Sequence, residues 1–241
     1  MTCTYRFAGR TVKVESVYDA VHGMCSAYAV PKEKADMEIT ICREDIDRER
    51  DASAAAGQQD DLFSDDYIET LAVYRKIAER MPFAETVLMH GSCVAVDGFG
   101  YMFIAASGTG KSTHARLWRQ MLGERAVMVN DDKPLIRMSG AAPEAFGTPW
   151  DGKHRLSSNI SVPLKAICIL ERSETNYMEP LRREEAYPML LQQTYRPSDV
   201  AAMTRTLGII DRISASVSLW RLRCNMDPEA ARISYGAMSA E

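Results

Sequence analysis

A glycine-rich run between a predicted strand and a predicted helix constrains the fold of this chain most. Residues 105–112 read Ala-Ala-Ser-Gly-Thr-Gly-Lys-Ser, and the apolar residues 101–105 predict a buried strand that leads into them. Residues 111–122 predict a helix, and residues 126–129 predict the next strand. A strand, a glycine turn, a helix and a strand make an α/β unit with the turn at the carboxyl end of its first strand. The sequence therefore predicts an α/β fold.

The run also fits the phosphate-binding loop (Walker A) pattern, with alanine at the first glycine position. Glycines let backbone N–H groups turn inward around phosphate oxygens, lysine brings a positive charge to the β- and γ-phosphates, and the serine hydroxyl can ligate Mg²⁺. The alternative is a glycine turn without a function. We predict nucleotide binding with ATP and Mg²⁺ as cofactors. The predicted loop residues are Ser107, Gly108, Thr109, Gly110, Lys111, Ser112 and Thr113.

Two adjacent carboxylates, Asp131 and Asp132, follow the strand after the loop helix. Carboxylates there can face the same phosphates and hold Mg²⁺ directly or through water. Two negative charges so close raise one pKa unless a metal or Lys111 compensates, which suits one carboxylate to act as a base. We predict that Ser112, Asp131 and Asp132 hold the metal and that one aspartate is the base, with a solvated turn as the alternative. Which aspartate is the base stays open.

Two other places carry candidate residues. His90 lies just before the loop strand, where a histidine is more often structural than functional. Lys153 and Arg155 lie in a basic segment, and a cation that meets the γ-phosphate stabilises phosphoryl transfer. They are candidate phosphate or substrate contacts, with an ordinary basic loop as the equal alternative.

The loop helix itself predicts no further ligand. His114 and Arg116 are predicted to be surface or ion-pairing residues rather than phosphate contacts. Leu117 and Trp118 are predicted to pack the helix onto the sheet rather than touch a base.

The N-terminal third predicts a small β-rich lobe, residues 1–84, ahead of an ATP-binding domain, residues 85–241. Residues 4–7, 11–16 and 37–41 predict short strands. Residues 43–66 carry nine acidic and three basic side chains without an apolar period, which predicts an acidic loop or a frayed helix. This stretch has a net charge of −6 within a chain of net charge −4, so the remainder is +2.

The other elements follow from apolar periodicity. Residues 87–96 predict a strand that ends at an Asp-Gly hairpin turn. The apolar spacing in the helix at 199–213 predicts a core face or an oligomer interface, so a homo-oligomer stays open. The remaining predictions are a helix at 67–81, strands at 166–170 and 219–222, and helices at 183–193, 199–213 and 228–238.

Composition excludes several classes of protein. With 46% hydrophobic residues the chain can bury a core, and a net charge of −4 argues against a nucleic-acid partner. No run approaches the ~20 apolar residues of a membrane helix, and no signal peptide is readable. The six cysteines form no Cys-x-x-Cys pair, which favours reduced thiols. We expect a cytoplasmic protein that binds neither a membrane nor nucleic acid.

Three motifs and their order resemble the HPr kinase/phosphorylase family over about residues 86–172. They are His90-Gly91, the Ser-Gly-Thr-Gly-Lys-Ser run and Asp131-Asp132. The resemblance implies a P-loop core like that of phosphoenolpyruvate carboxykinase, with a mixed sheet. It also implies catalytic roles for His90, Lys111, Asp131 and Asp132, one aspartate taking the proton of a substrate serine. Thr113 stands where that family has an acidic residue, and residues 147–155 replace its second signature.

The expected function is therefore an ATP- and Mg²⁺-dependent kinase that phosphorylates a hydroxyl. The resemblance implies a serine acceptor on a peptide, a protein or a small molecule. A nucleotide-dependent sensor and a nucleotide hydrolase without an acceptor are the alternatives.

Overall fold

A computed structural model describes residues 1–31, 34–55, 63–152 and 154–240, with the backbone alone at 53–55. The chain divides into two compact units, Met1–Arg80 and Met81–Glu241. The assignment of a nucleotide-binding role to the C-terminal part stays a prediction.

The N-terminal unit contains a three-stranded sheet in the order β1-β2-β3. β1 and β2 are antiparallel and β2 and β3 are parallel, which confirms the three predicted strands. Tyr5, Val12, Val14 and Ile39 are buried in it. The elements are β1 (Thr2–Phe7), β2 (Arg10–Glu15), α1 (Ala20–Met24), β3 (Met37–Thr40), α2 (Arg43–Ala55) and α3 (Asp65–Arg80).

Of the two alternatives predicted for 43–66, a loop or a frayed helix, the first half takes the helical one and forms α2. Two of its carboxylates are buried, because Asp45 pairs with Lys76 of α3 and Glu49 pairs with Arg75 of α3. The inward face of α2 is therefore partly ionic. For that reason the spacing of apolar residues in the sequence does not indicate this helix. Residues 56–62 of the predicted loop lie outside the described residues.

The C-terminal unit is built on a nine-stranded mixed sheet. Seven of the strands follow the order β4-β8-β9-β10-β6-β5-β7. The other two are β12, which pairs with β10, and β11, which pairs with β12. β10 is parallel to both β6 and β12, whereas β5 lies antiparallel between β6 and β7. The strands are β4 (Thr86–Leu88), β5 (Ser92–Val96), β6 (Phe99–Ile104), β7 (Ala126–Asn130), β8 (Leu135–Arg137), β9 (Glu144–Phe146), β10 (Ser161–Arg172), β11 (Tyr177–Pro180) and β12 (Ser218–Cys224). The helices are α4 (Lys111–Leu122), α5 (Arg183–Gln193), α6 (Val200–Ser216) and α7 (Pro228–Ser239).

Alternate residues of the central strands supply two separate apolar layers. Met102 and Ile104 of β6 belong to the layer that includes α5 and α6. Tyr101 and Phe103 of the same strand belong to the layer that includes Trp118 of α4 and residues of α7. Helices therefore cover both faces, as a sheet buried on both sides requires. The α/β class is confirmed as a large mixed sheet plus a small three-stranded sheet.

The single strand predicted at 87–96 is wrong, because the structure has two strands there. β4 pairs with β8 at the far end of the sheet order, while β5 pairs with β6 and β7. The chain leaves one pairing and begins the other at His90 and Gly91. The predicted Asp-Gly hairpin is confirmed between β5 and β6, with Asp97 and Gly98 both at positive φ. Among the described residues, no helix is long and apolar enough to cross a bilayer.

Candidate functional site

The glycine loop joins the carboxyl end of β6 to the first residue of α4. Gly108 and Gly110 have φ values of +75° and +121°, in the region that favours glycine. Gly110 precedes the helix, and within the described residues no side chain caps it. The first-turn N–H groups of α4 are therefore not occupied by a capping side chain, and such groups favour an anion.

Lys111 folds back against this loop. Its side chain is buried, and Nζ donates a hydrogen bond to the Ala105 carbonyl oxygen over 3.0 Å. Burial lowers the pKa of Lys111, while the carboxylates of Asp132 and Asp131 raise it. The ammonium group thus lies within electrostatic reach of both predicted carboxylates.

The two aspartates at the end of β7 have different surroundings. Asp131 is buried, and its Oδ1 accepts a hydrogen bond of 2.7 Å from the Ser92 hydroxyl. Asp132 is more open, with Oδ1 3.3 Å from His90 Nε2 and Oδ2 3.6 Å from Lys133 Nζ. One carboxylate is therefore fixed by a buried hydroxyl, and the other shares its oxygens between a histidine and a lysine.

His90 is held between β4 and β5 by backbone hydrogen bonds. Its N–H donates to the Gln193 carbonyl oxygen, and the N–H of Gly91 donates to the Asp132 carbonyl oxygen. Burial lowers the pKa of His90, the Lys111 ammonium lowers it further, and Asp132 opposes both. The neutral imidazole is therefore favoured at pH 7. The structure brings His90, Lys111, Asp131 and Asp132 together, and we call these four residues the loop-end cluster.

The other predicted loop residues lie in the glycine loop and in the first turn of α4. Ser107, Gly108 and Ser112 are exposed, whereas Thr109, Gly110 and Thr113 are half-buried. Ser112 lies in the first turn of α4, next to Lys111. The hydroxyl and two carboxylates of Ser112, Asp131 and Asp132 are oxygen donors of the kind Mg²⁺ prefers. Among the described residues, no group of three or more His, Cys, Asp or Glu side chains could hold a metal unaided. This donor set fits an Mg²⁺ ion that takes its remaining ligands from phosphate and water.

Sequence reasoning gave no role to Asn130, which organises the turn. Its Oδ1 accepts hydrogen bonds from the N–H groups of Asp132 and Lys133, at 2.8 and 2.6 Å. Its Nδ2 donates to the carbonyl and hydroxyl oxygens of Thr148, at 3.1 and 3.0 Å. The side chain therefore ties the carboxylate turn to the segment after β9. The sequence did carry a signal for this role, because an asparagine side chain commonly accepts a hydrogen bond from the backbone N–H two residues later.

The segment after β9 returns against the cluster in a closed loop. A Cβ atom at Gly147 would lie 1.8 Å from the Ser158 carbonyl oxygen, so only glycine fits the base of this loop. A Cβ at Gly152 would lie 3.3 Å from Asp131 Oδ2, which places the Gly152 backbone beside that carboxylate. Arg155 is exposed, at positive φ. Lys153, the other predicted cation, lies outside the described residues.

The prediction that His114 is a surface residue is wrong. It is 3% exposed, its Nε2 lies 2.9 Å from Ser234 Oγ, and its ring meets Phe103 edge to face at 4.7 Å. Burial lowers the pKa of His114 to about 4. Leu117 and Trp118 are buried in the same layer, which confirms their predicted packing role. Arg116 is exposed, as predicted. His114 faces inward because α7 covers this side of α4 and supplies Ser234.

A cavity of about 460 Å³ adjoins the glycine loop on the α4 side. Gly108, Thr109 and Gly110 form one wall, and residues of α4 and of the ends of β10 and β12 form the others. Arg172, the last residue of β10, donates a hydrogen bond to the Gly108 carbonyl oxygen at the edge of this cavity. The loop therefore has the loop-end cluster nearby and also borders an open cavity.

Comparison with known proteins gives a family match and matches to solved structures, one of which is an Hpr(Ser) kinase/phosphatase. The structure of the Hpr(Ser) kinase/phosphatase from Coxiella burnetii is 8% identical and has a TM-score of 0.36. That similarity covers 64% of this chain and 95% of that chain. No curated protein matches the sequence. The family described as SynChlorMet cassette protein ScmC matches residues 65–204, which is more than half of the chain and includes the whole loop-end cluster. This protein therefore belongs to the ScmC family.

Proposed function

We propose that this protein is an ATP- and Mg²⁺-dependent kinase with a P-loop core, which transfers the γ-phosphoryl group to a hydroxyl. A serine, on a peptide, a protein or a small molecule, is the acceptor. The observation that carries the proposal is the loop-end cluster itself. A glycine loop, its buried lysine, two carboxylates and a neutral histidine meet within one unit of the fold.

The loop would hold the phosphates. Backbone N–H groups at Gly108–Lys111 and the first turn of α4 would face the β- and γ-phosphate oxygens. Lys111 would exchange its hydrogen bond with the Ala105 carbonyl for a phosphate oxygen. A lysine held in advance at low exposure loses little freedom on binding, which favours tight positioning.

The different surroundings of the two aspartates suggest different roles. Asp131, fixed by Ser92, would hold the metal with Ser112. Bound Mg²⁺ would neutralise charge on the β- and γ-phosphates. Asp132, which is more exposed and lies against a neutral His90, would accept the proton of the attacking hydroxyl. The acceptor oxygen forms a bond to the γ-phosphorus, the bond to the β–γ bridging oxygen breaks, and ADP leaves.

The test is transfer of labelled phosphate from γ-labelled ATP to a library of serine-containing acceptors, at several Mg²⁺ concentrations. We expect Asp132→Asn to lower the transfer rate by at least about a hundredfold, the usual contribution of a general base, while ATP binding is retained. Asp97→Asn is the matched control, because Asp97 is an exposed carboxylate of the same sheet and lies on the hairpin.

Three results would contradict the kinase proposal. The first is ATP binding without label in any acceptor. The second is phosphate release at the same rate with and without acceptors, which would indicate a hydrolase. The third is loss of ATP binding in Asp132→Asn as the sole effect, which would favour a sensor.

A further inference from the structure

The carboxyl end of β10 lies beside the glycine loop. β10 runs parallel to β6, the strand that leads into the loop, and the last pair that the two strands form is Ile169 with Ile104. β10 continues beyond that pair to Arg172, which still pairs with Cys224 of β12. The backbone of Arg172 is therefore fixed within the sheet at the level where the chain after β6 forms the loop.

The side chain of Arg172 contacts the backbone of the loop. Its guanidinium donates a hydrogen bond to the carbonyl oxygen of Gly108. Packing does not hold Gly108, because a Cβ atom at this residue would meet no atom within 4 Å. A peptide that follows a glycine in open space can rotate at small steric cost. The hydrogen bond from Arg172 opposes that rotation.

The direction of the Gly108 carbonyl determines where the next N–H points. The carbonyl of Gly108 and the N–H of Thr109 belong to one planar trans peptide, in which the two groups point in opposite directions. The Gly108 oxygen points to Arg172, and the Thr109 N–H donates across the loop to the Ala106 carbonyl oxygen over 3.3 Å. That bond is long for an N–H···O hydrogen bond. A phosphate oxygen inside the loop can replace it with a shorter, charge-assisted bond.

We propose that Arg172 is a positioning residue of the glycine loop, which holds the Gly108 carbonyl outward and thereby keeps the Thr109 N–H turned toward a bound phosphate. Arg172 lies on the opposite side of this peptide from the phosphate, so it acts through the backbone rather than by contact with the ligand. An N–H group that is oriented before binding loses little freedom when the ligand arrives, which raises affinity. The inference rests on the proposed function, because the loop must bind phosphate.

The first test measures the binding of Mg²⁺-tripolyphosphate to the full chain by calorimetry. We expect Arg172→Met to weaken binding about fivefold, the value of one hydrogen bond. Arg172→Lys should retain most of the affinity, because its ammonium group can donate to the same carbonyl oxygen. Arg116→Met is the matched control, since Arg116 is an exposed arginine of α4 and its replacement removes the same charge near the loop. At about 0.15 M salt the control should weaken binding by less than about twofold.

The second test follows the Thr109 amide in the ligand-free protein by NMR. The residual dipolar coupling of this amide reports the orientation of its N–H bond, which a residue that only touches phosphate would not change before the ligand is added. We expect Arg172→Met to move the coupling toward an averaged value, because the peptide after Gly108 is then free to rotate. Arg172→Lys and Arg116→Met should leave it unchanged. The Arg172 side chain is exposed, so these variants should fold; if Arg172→Met does not, Arg172→Gln, with its shorter side chain, takes its place.

The outcomes separate this inference from the proposed function. If Arg172→Met weakens tripolyphosphate binding but leaves the Thr109 coupling unchanged, Arg172 contacts the phosphate directly and its positioning role is overturned. Equal affinity in Arg172→Met and the unaltered chain overturns that role as well, and in both cases the kinase proposal stands. If the unaltered chain does not bind tripolyphosphate, the glycine loop is not a phosphate site and both proposals are overturned.

Discussion

Asn130 uses both ends of its side chain to hold the turn that carries Asp131 and Asp132. Its oxygen accepts from two successive amides of the carboxylate turn, and its nitrogen donates to Thr148 across the sheet. The residue is completely buried, so water cannot replace any of these bonds. The position of the turn that carries Asp131 and Asp132 therefore depends on a side chain to which the proposed reaction gives no role.

We predict that Asn130→Ala lowers the free energy of unfolding by about 2–4 kcal/mol, because the N–H groups of Asp132 and Lys133 and the Thr148 carbonyl oxygen lose their side-chain partner. Urea denaturation measures this change. Gln120→Ala, at an exposed amide side chain of α4 in the same unit, is the control and should change stability by less than about 0.5 kcal/mol. Equal losses in the two variants would show that Asn130 does not organise the turn.

At the residue scale, the sequence predicted the candidate site residues better than the residues that hold them in place. The glycines, Lys111 and the aspartate pair could be predicted because phosphate binding demands those residue types at that spacing. Ser92 gave no signal, since a serine in a strand has many roles. His114 was assigned to the surface because the sequence of α4 gives no sign that α7 covers that side of the helix.

At the element scale, α2 shows how an ionic face can replace an apolar one. Asp45 and Glu49 turn inward because Lys76 and Arg75 of α3 meet them. Asp45 also accepts a hydrogen bond from the Cys42 N–H, which satisfies an amide just before the first turn of the helix. α2 thus depends on pairs of opposite charge for its attachment to α3.

We predict that Arg75→Met lowers the free energy of unfolding by about 1–3 kcal/mol, because it leaves the buried Glu49 carboxylate without that cation. Hydrogen exchange of the α2 amides should rise in the same variant. Arg48→Met is the matched control, since the Arg48 side chain is 74% exposed and its pair with Asp45 should contribute little. Unchanged exchange in Arg75→Met would mean that α2 is held by other contacts.

Several helices and strands could be predicted from sequence, whereas the three-residue strands β8 and β9 could not. The helices α4 and α5 have the predicted bounds, and the predicted strand at 166–170 is the centre of β10. β8 and β9 have three residues each, too few to establish an alternation. The order of the strands in the sheet could not be predicted either, because β4 and β5 are adjacent in sequence but pair with different neighbours.

At the scale of the whole molecule, the second unit contains every residue to which the proposed reaction gives a role. Both apolar layers, the loop-end cluster and the cavity beside the loop lie within Met81–Glu241. The acidic stretch with its net charge of −6 belongs to the sequence before it. A unit with its own core is expected to fold independently.

We predict that a fragment of residues 81–241 folds cooperatively and binds Mg²⁺-tripolyphosphate within about threefold of the affinity of the full chain, a difference of less than 1 kcal/mol. Thermal unfolding by circular dichroism and calorimetric titration measure the two properties. A fragment without a cooperative transition would refute the independence of this unit. A folded fragment that does not bind would place part of the phosphate site in the first 80 residues.

The closed base of the loop after β9 has a consequence for how such a protein can diverge. Gly147 is locked against Ser158, while the exposed residues 154–156 between them lie outside any strand or helix. Replacing the tip of this loop, or changing its length, would leave the pairing at its base intact. A short insertion or exchange at this tip could thus change what the loop contacts, while the glycine loop and the loop-end cluster stay the same.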